Sequence, residues 1–358
     1  MLAKARQPMC CCARHYAEMR MKPSLKEQLE SIRAEFGVPA LGALVGDSRR
    51  IRAFACVGVQ RAGSQERVRA DDPFHIGSCT KAMTATVAAR LVEQGKLRWE
   101  TTLAEALPQL KQAIPSDYHT VTLRQLLYHR AGLPEDRSPD PALFLRLRSL
   151  TGDLRRQRLE ATRWVLEKKP ASPPDTQFAY SNFGYVVAGA MLEQTAQRSW
   201  EELMREYLFK PLRMRTAGFG PPKQAAGHNG KPPRPQVFDN PPVLGPAGTV
   251  HCSLRDWSAF AQLHLRGARG EKTALLRPES FTTLHADPYP QGYAMGWVVR
   301  PMANGRTLQH AGSNTFWFAL MQLEPARDRF YLCATNWGHA DAVQAVLTLI
   351  QSLSTQAS

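Results

Sequence analysis

The apolar positions change period along the chain, and the changes mark out its elements. Leu25, Leu29, Ile32 and Phe36 recur at helical spacing behind Ser24-Leu25-Lys26-Glu27, a Ser-x-x-Glu start in which the first and fourth residues cap each other. Gly37-Val38-Pro39 should end that helix. Two apolar runs of strand length follow, 40–45 and 51–59, and the basic turn Gly46-Asp47-Ser48-Arg49-Arg50 makes them a hairpin. A long helix should begin at Ser78 and pass through Val87 and Leu91 to a C-cap at Gly95. From 97 to 220 the pattern is mostly helical, with helices over 122–127, 185–194 and 200–208. Prolines crowd 220–246, which predicts an irregular surface loop. Beyond it come a helix over 253–264, strands over 293–299, 307–310, 316–323 and 330–334, and a closing helix over 340–353.

Strands at both ends and helices in the middle predict an α+β fold. An antiparallel sheet assembled from both termini should be flanked by helices, with an all-helical region inserted between its halves. The expected division is a sheet region over 23–96 and 246–358 and a helical region with the Pro-rich loop over 97–245, forming one domain. Residues 1–22 read as a disordered extension, with Met19 and Met21 just ahead of the helix start at Ser24. No internal repeat breaks this plan. With 358 residues, 43% of them hydrophobic, the chain can bury a core without disulfides. No apolar stretch reaches the ~18 to 20 residues of a membrane span.

Charge and cysteines change this picture little. Lys and Arg number 46 against 31 Asp and Glu, a net charge of +15. That surplus invites a nucleic-acid partner, but it is spread along the chain. Its densest stretch, Arg146 to Lys169, is interrupted by acidic and apolar residues as on a solvated helix face. No helix-turn-helix, zinc-finger or RNA-binding signature accompanies it, so no specific nucleic-acid partner is expected. The seven cysteines, Cys10 to Cys12 in a row and four scattered, lack metal-site spacing and read as reduced thiols. The basic start Met1 to Arg6 has no apolar run behind it, so no signal peptide is expected and the reading is cytoplasmic as written, periplasmic only if a true start lies upstream.

Three short motifs carry chemistry. The first is His75-Ile76-Gly77-Ser78-Cys79-Thr80-Lys81, in which Ser and Lys stand one helical turn apart on one face. A serine hydroxyl needs a base to become a nucleophile, and Lys81 can serve if burial keeps it neutral part of the time. The helix start also offers N–H groups to a developing oxyanion. Alone, Ser-x-x-Lys is weak, since a chain of this length holds about one by chance. The second motif is Tyr180-Ser181-Asn182, a phenol suited to general base work beside an amide able to orient Lys81 and substrate. The third is His310-Ala311-Gly312-Ser313 on an expected strand. There Gly312 permits close approach of substrate, the Ser313 N–H can donate to an oxyanion, and His310 can bind a carboxylate or tune Tyr180.

In order and spacing these motifs resemble the serine β-lactamase and penicillin-binding protein superfamily, and within it the class C β-lactamase, esterase and D-aminopeptidase branch. Three flanking segments resemble it too: Leu123 to Leu133, Pro246-Ala247-Gly248-Thr249-Val250 and Tyr293-Ala294-Met295-Gly296-Trp297. The resemblance implies that Ser78 is acylated and that Lys81 and Tyr180 share base and acid work. It implies that Asn182 positions Lys81 and substrate, and that the N–H groups of Ser78 and Ser313 form the oxyanion hole. It implies the β-lactamase/transpeptidase-like fold, with Ser78 between sheet and helical region. The third motif opens on His310 where β-lactamases and penicillin-binding proteins usually carry lysine, as in esterase-like and aminopeptidase-like relatives.

The expected function is therefore a serine hydrolase acting through an acyl-enzyme on a small ester, amide or peptide. Esterase or peptidase-like action is favoured over strong β-lactamase action, and no metal or organic cofactor is expected. The rival is a non-catalytic binder of cell-wall fragments or peptides using the same pocket.

Overall fold

The two ends of the chain meet in the middle of one sheet. Its strands are β1 (Ala40–Gly46), β2 (Ile51–Gly58), β3 (Val298–Met302), β4 (Gly305–Ser313), β5 (Phe318–Glu324) and β6 (Arg329–Thr335), in the order β2-β1-β6-β5-β4-β3. All neighbouring pairs are antiparallel. Leu41 of β1 lies opposite Thr335 of β6, and Phe318 of β5 lies opposite Thr335 from the other side. This computed structural model describes residues 23–136 and 141–356. The N-terminal extension and Cys10 to Cys12 lie outside them.

Both faces of the sheet are covered. Leu41, Ala43, Leu320, Tyr331 and Cys333 bury one face with Leu29 of the first helix (Leu25–Phe36) and Val346 and Leu349 of the last (Ala340–Gln356). Leu44, Ala319, Met321, Leu332 and Ala334 bury the other with Leu254, Trp257 and Phe260 of the Leu254–Ala268 helix. Burial on both sides explains why these strands read as unbroken apolar runs. The mixed architecture is the α+β arrangement expected, with an antiparallel sheet flanked by helices.

The Thr80–Glu93 helix is buried almost all round, including Thr80, Lys81, Thr84 and Thr86. Its hydroxyls are satisfied inside: Thr84 Oγ1 donates to Pro246 O at 2.8 Å and Thr86 Oγ1 to Ala82 O at 2.7 Å. With that proton committed, Thr86 Oγ1 accepts from His264 Nε2 at 2.9 Å, and His264 Nδ1 accepts from His285 Nε2 at 2.9 Å. Burial holds both rings neutral, His264 well below the usual imidazole range and His285 at about 3.

Several expected boundaries move. Ser78 sits in a 3-10 turn, Gly77–Cys79, and the α-helix starts only at Thr80. The expected strand over 293–299 is a bend joined by one bridge, Tyr293 to Val298, and β3 begins at Val298. Gly296, at φ +79°, turns the chain so tightly against the Thr80–Glu93 helix that a Cβ there would lie 2.5 Å from Ala82 N. The expected helix over 200–208 is the α-helix Trp200–Met204 followed by a π turn, Arg205–Phe209. The Pro-rich segment is not simply a surface loop. It contains a small hairpin, Gly227–Asn229 with Arg234–Gln236, and it buries Ala225, Ala226, His228, Val243 and Leu244.

The basic stretch departs most from expectation. Arg158, on the Leu154–Val165 helix, is wholly buried between Glu193 of the Asn182–Ala196 helix and Glu201 of Trp200–Met204. It donates to Glu201 Oε1 at 2.8 Å, to Glu193 Oε1, and to Val243 O at 3.3 Å. Burial pushes the Glu193 carboxyl up to about 7 even beside this guanidinium. Arg158→Met would leave two buried carboxylates without their cation, an expected loss of about 3–5 kcal/mol. Urea unfolding at pH 7 measures it, and a loss below ~1 kcal/mol would show that the cluster does not fasten these helices.

Candidate active site

Ser78 is placed by a close crossing of two backbones. A Cβ on Gly77, at φ +50°, would fall 2.3 Å from Ser313 N, and one on Gly312 would fall 2.0 Å from Ile76 O and 2.7 Å from Ser78 N. Only glycine at both positions lets the 3-10 turn and the end of β4 pass this closely. The crossing brings the backbone nitrogens of Ser78 and Ser313 near one another, as an oxyanion site requires. Cys79 Sγ, donating to His310 O at 3.1 Å, ties the same turn to β4. Gly77 N donates to His75 Nδ1 at 3.1 Å, and His75 Nε2 faces Asp239 Oδ2 at 3.1 Å.

Lys81 lies one turn beyond Ser78 and is fully buried. Its Nζ donates to Ser78 Oγ at 3.1 Å, Asn182 Oδ1 at 2.7 Å and Ala247 O at 2.8 Å. Burial pulls its pKa down to about 7, against the raising pull of the Asp136 carboxylate. The partners decide what losing a proton does. Ala247 O can only accept, and so can Asn182 Oδ1. A neutral amine keeps its two N–H bonds to them and turns its lone pair to Ser78 Oγ. Deprotonation therefore aims a base at the serine hydroxyl.

Asn182 cannot flip, because its Nδ2 donates to Asp136 O at 3.1 Å. The Asp136 carboxylate accepts from Ser181 Oγ at 3.0 Å, Phe183 N at 2.9 Å and Asn182 N, covering the first turn of the Asn182–Ala196 helix. Burial raises the Asp136 carboxyl above its ordinary value, while these N–H groups pull it back. Nothing in the sequence marks Asp136, which stands in the loop after Gly132-Leu133-Pro134. His129 lies in the family-like segment Leu123 to Leu133, where the sequence assigns it no role: its Nδ1 accepts from Ser181 N at 3.0 Å and its ring packs on Tyr180 with centroids 4.4 Å apart. The Tyr180 ring stands 4.9 Å from Lys81 Nζ.

Ser78, Tyr180, Asn182 and Ser313 line one cleft of about 630 Å³. His310 lies elsewhere. It lines a neighbouring hollow of about 350 Å³, which Tyr180 also borders. Its Nδ1 donates to Ala311 O at 2.6 Å, so Nε2 accepts from Tyr293 OH at 3.2 Å. Burial, with Lys81 nearby, pushes the ring down to about 3, leaving it neutral. Among the described residues, no cluster of His, Cys, Asp or Glu is arranged to hold a metal ion. Cys79, Cys252 and Cys333 are buried free thiols.

Residues 25–353 match the family model described as Beta-lactamase. The chain belongs to the Beta-lactamase family. It is 28% identical over 341 residues to penicillin-binding protein 4 of Amycolatopsis lactamdurans, covering 88% of this chain and 85% of that protein. Among solved structures, a D-stereospecific amidohydrolase from Streptomyces sp. is similar at a TM-score of 0.71 and 23% identity, over 89% of this chain and 96% of that one. A class C β-lactamase from Rhodobacter sphaeroides is similar at 0.72 and 21% identity, over 91% and 98%. The structural likenesses show a β-lactamase/transpeptidase-like fold, and membership in this family supports a serine hydrolase type of function. No helix among the described residues is long and apolar enough to cross a membrane.

Gly312→Ala should damage the site of this β-lactamase-family chain without unfolding it. The added methyl meets backbone on both sides, so β4 must shift from the Ser78 turn. An expected fall in acylation of Ser78 of on the order of 100-fold or more, read by intact mass against time, would match loss of an oxyanion donor. Unchanged acylation would show that the close crossing has no part in the chemistry.

Proposed function

We propose that this protein is a serine hydrolase that cleaves an ester or amide through an acyl-enzyme on Ser78. The observation that carries the reading is a fully buried lysine whose two fixed acceptors leave its lone pair for the serine hydroxyl. In acylation, Ser78 Oγ bonds to the carbonyl carbon and its proton passes toward Lys81. The oxyanion forms between the N–H groups of Ser78 and Ser313. The bond to the leaving group then breaks as that group takes a proton, with Tyr180 as its partner at the cleft wall. Water repeats the sequence to free Ser78. Lys81 and Tyr180 share the base and acid work, Asn182 positions Lys81 and substrate, and Gly312 allows the approach.

His310 has a supporting part in this reading. Neutral and tied at both ring nitrogens, it braces Tyr293 behind Tyr180 and lends no charge to a substrate carboxylate. This favours esterase or D-peptidase-like chemistry over strong β-lactamase action, in line with the amidohydrolase of similar fold. A protein that merely bound fragments would gain nothing from a buried ammonium, which disfavours a non-catalytic binder.

Intact mass after exposure to a penicillin, a fluorophosphonate and a p-nitrophenyl ester tests the reading, with Ser78→Ala as control. A covalent adduct on the parent chain and none on the variant is expected, with turnover lower by on the order of 10⁶-fold in the variant. Equal turnover by Ser78→Ala would sink the proposal.

The rate should also report Lys81. Its pKa of about 7 places the acid limb of kcat/KM near pH 7, activity rising as the amine loses its proton. Asp136→Asn removes the negative charge that favours the ammonium, so the limb should move to lower pH, by on the order of one unit. A purely structural role for Asp136 would lower the rate and leave the limb in place.

A further inference from the structure

Among the described residues that line the Ser78 cleft, Arg148 is the one cation. It ends the Pro141–Arg148 helix and is exposed. The guanidinium donates to the backbone oxygen of Asp239 and its carbon stands 4.9 Å from the Phe144 ring centre. No carboxylate among the described residues pairs with it. Asp239 is itself the residue that accepts, and it also lines the cleft, but its carboxylate is already engaged. Oδ2 faces His75 Nε2, and Oδ1 accepts from Asn314 Nδ2 at 2.7 Å and Asn240 N at 2.7 Å. Burial alone would raise this carboxyl; His75 and the Asn314 amide bring it below its ordinary value, so it is fully ionised and committed.

The rest of the cleft sharpens the contrast. Phe144, Leu244 and Phe316 give it apolar walls, and His310, in the third motif, lines the neighbouring hollow instead and is neutral. A positioned guanidinium with free N–H groups, set among apolar walls in the same cleft as a nucleophile, suits a carboxylate on a short aliphatic stem. Anchoring on Asp239 O and the Phe144 ring limits the motion that makes exposed charge pairs weak.

Resting on Ser78 as the acylated residue, we propose that Arg148 sets specificity for an acyl group bearing a carboxylate away from the scissile bond. The preferred substrate class is then an ester or amide of a dicarboxylic or acidic acyl chain. The leaving group is not constrained by this contact.

The p-nitrophenyl monoester of adipic acid, compared with the hexanoate and 6-aminohexanoate esters, tests the assignment. The parent protein should favour the adipate over the hexanoate in kcat/KM by on the order of tenfold. Arg148→Ala should bring that ratio near one, and Arg148→Glu should move the preference to the aminohexanoate. A folding defect would lower all three esters together and leave the ratios alone. A ratio unmoved by Arg148→Ala overturns the proposal. If the parent cleaves no ester, calorimetry on Ser78→Ala with monomethyl and dimethyl adipate separates the failures. Tighter binding of the monomethyl ester, lost in Ser78→Ala/Arg148→Ala, upholds the contact while the hydrolase reading falls. Equal binding of both esters overturns the contact.

Discussion

An ammonium held out of water governs the design of this site. Moving a lysine from water into protein is expensive unless its donors are met, and removal of any one acceptor raises that cost. Lys81 meets its donors from its own turn and from two distant pieces of chain: Ser78 one turn before it, Asn182 at the head of another helix, and Ala247 at the end of the Pro-rich segment. These pieces must arrive together or the burial is uncompensated. The same requirement makes the pKa useful. With acceptors sufficient to hold the ammonium and burial sufficient to weaken it, Lys81 sits at the balance point near neutrality.

The Pro-rich segment is thereby drawn into the site. Ala247 O takes one lysine proton and Pro246 O takes the Thr84 hydroxyl. Pro246 also fills the space beside Gly189, where a Cβ would come within 2.4 Å of it. Asp239, in the same segment, binds His75 just before the Ser78 turn and Asn314 just after β4. One carboxylate thus joins the two strands of chain whose close crossing sets Ser78 against Ser313. The segment lacks long regular elements because its task is to deliver single backbone and side-chain oxygens to fixed points.

What was legible in the sequence follows from range. The Ser24 capping box, the hairpin over β1 and β2 and the last helix depend on neighbours in the chain, and the pattern of residues specifies them. Ser78 and Lys81 are three apart, so helical geometry alone brings them together. Asp136 and His129 act across 46 and 52 residues on one short turn, and no local pattern announces such contacts. Arg158 looked like surface because its neighbours in sequence are charged. Its burial is decided by Glu193 and Glu201 on two other helices. The bend at Gly296 was hidden for the same reason, since apolar residues suit a strand and an inward loop equally well.

The neutrality of His310 completes the electrostatic account. Its two nitrogens are fixed by a carbonyl, which forces the proton onto Nδ1, and by a phenol, which donates to Nε2. Protonating Nε2 would break the second bond and put a cation beside Lys81, and each effect opposes it. Among the described residues, the carboxylate that acts on Lys81 is Asp136, Asp239 being committed to His75 and Asn314, and the third motif adds no cation. A second fixed positive charge at position 310 would further favour the neutral amine, moving Lys81 off its balance near pH 7. The histidine avoids this, and a charge for substrate recognition can stand only where it does not reach Lys81. Arg148, at the exposed end of the Pro141–Arg148 helix, is the cation among the described residues that line the cleft.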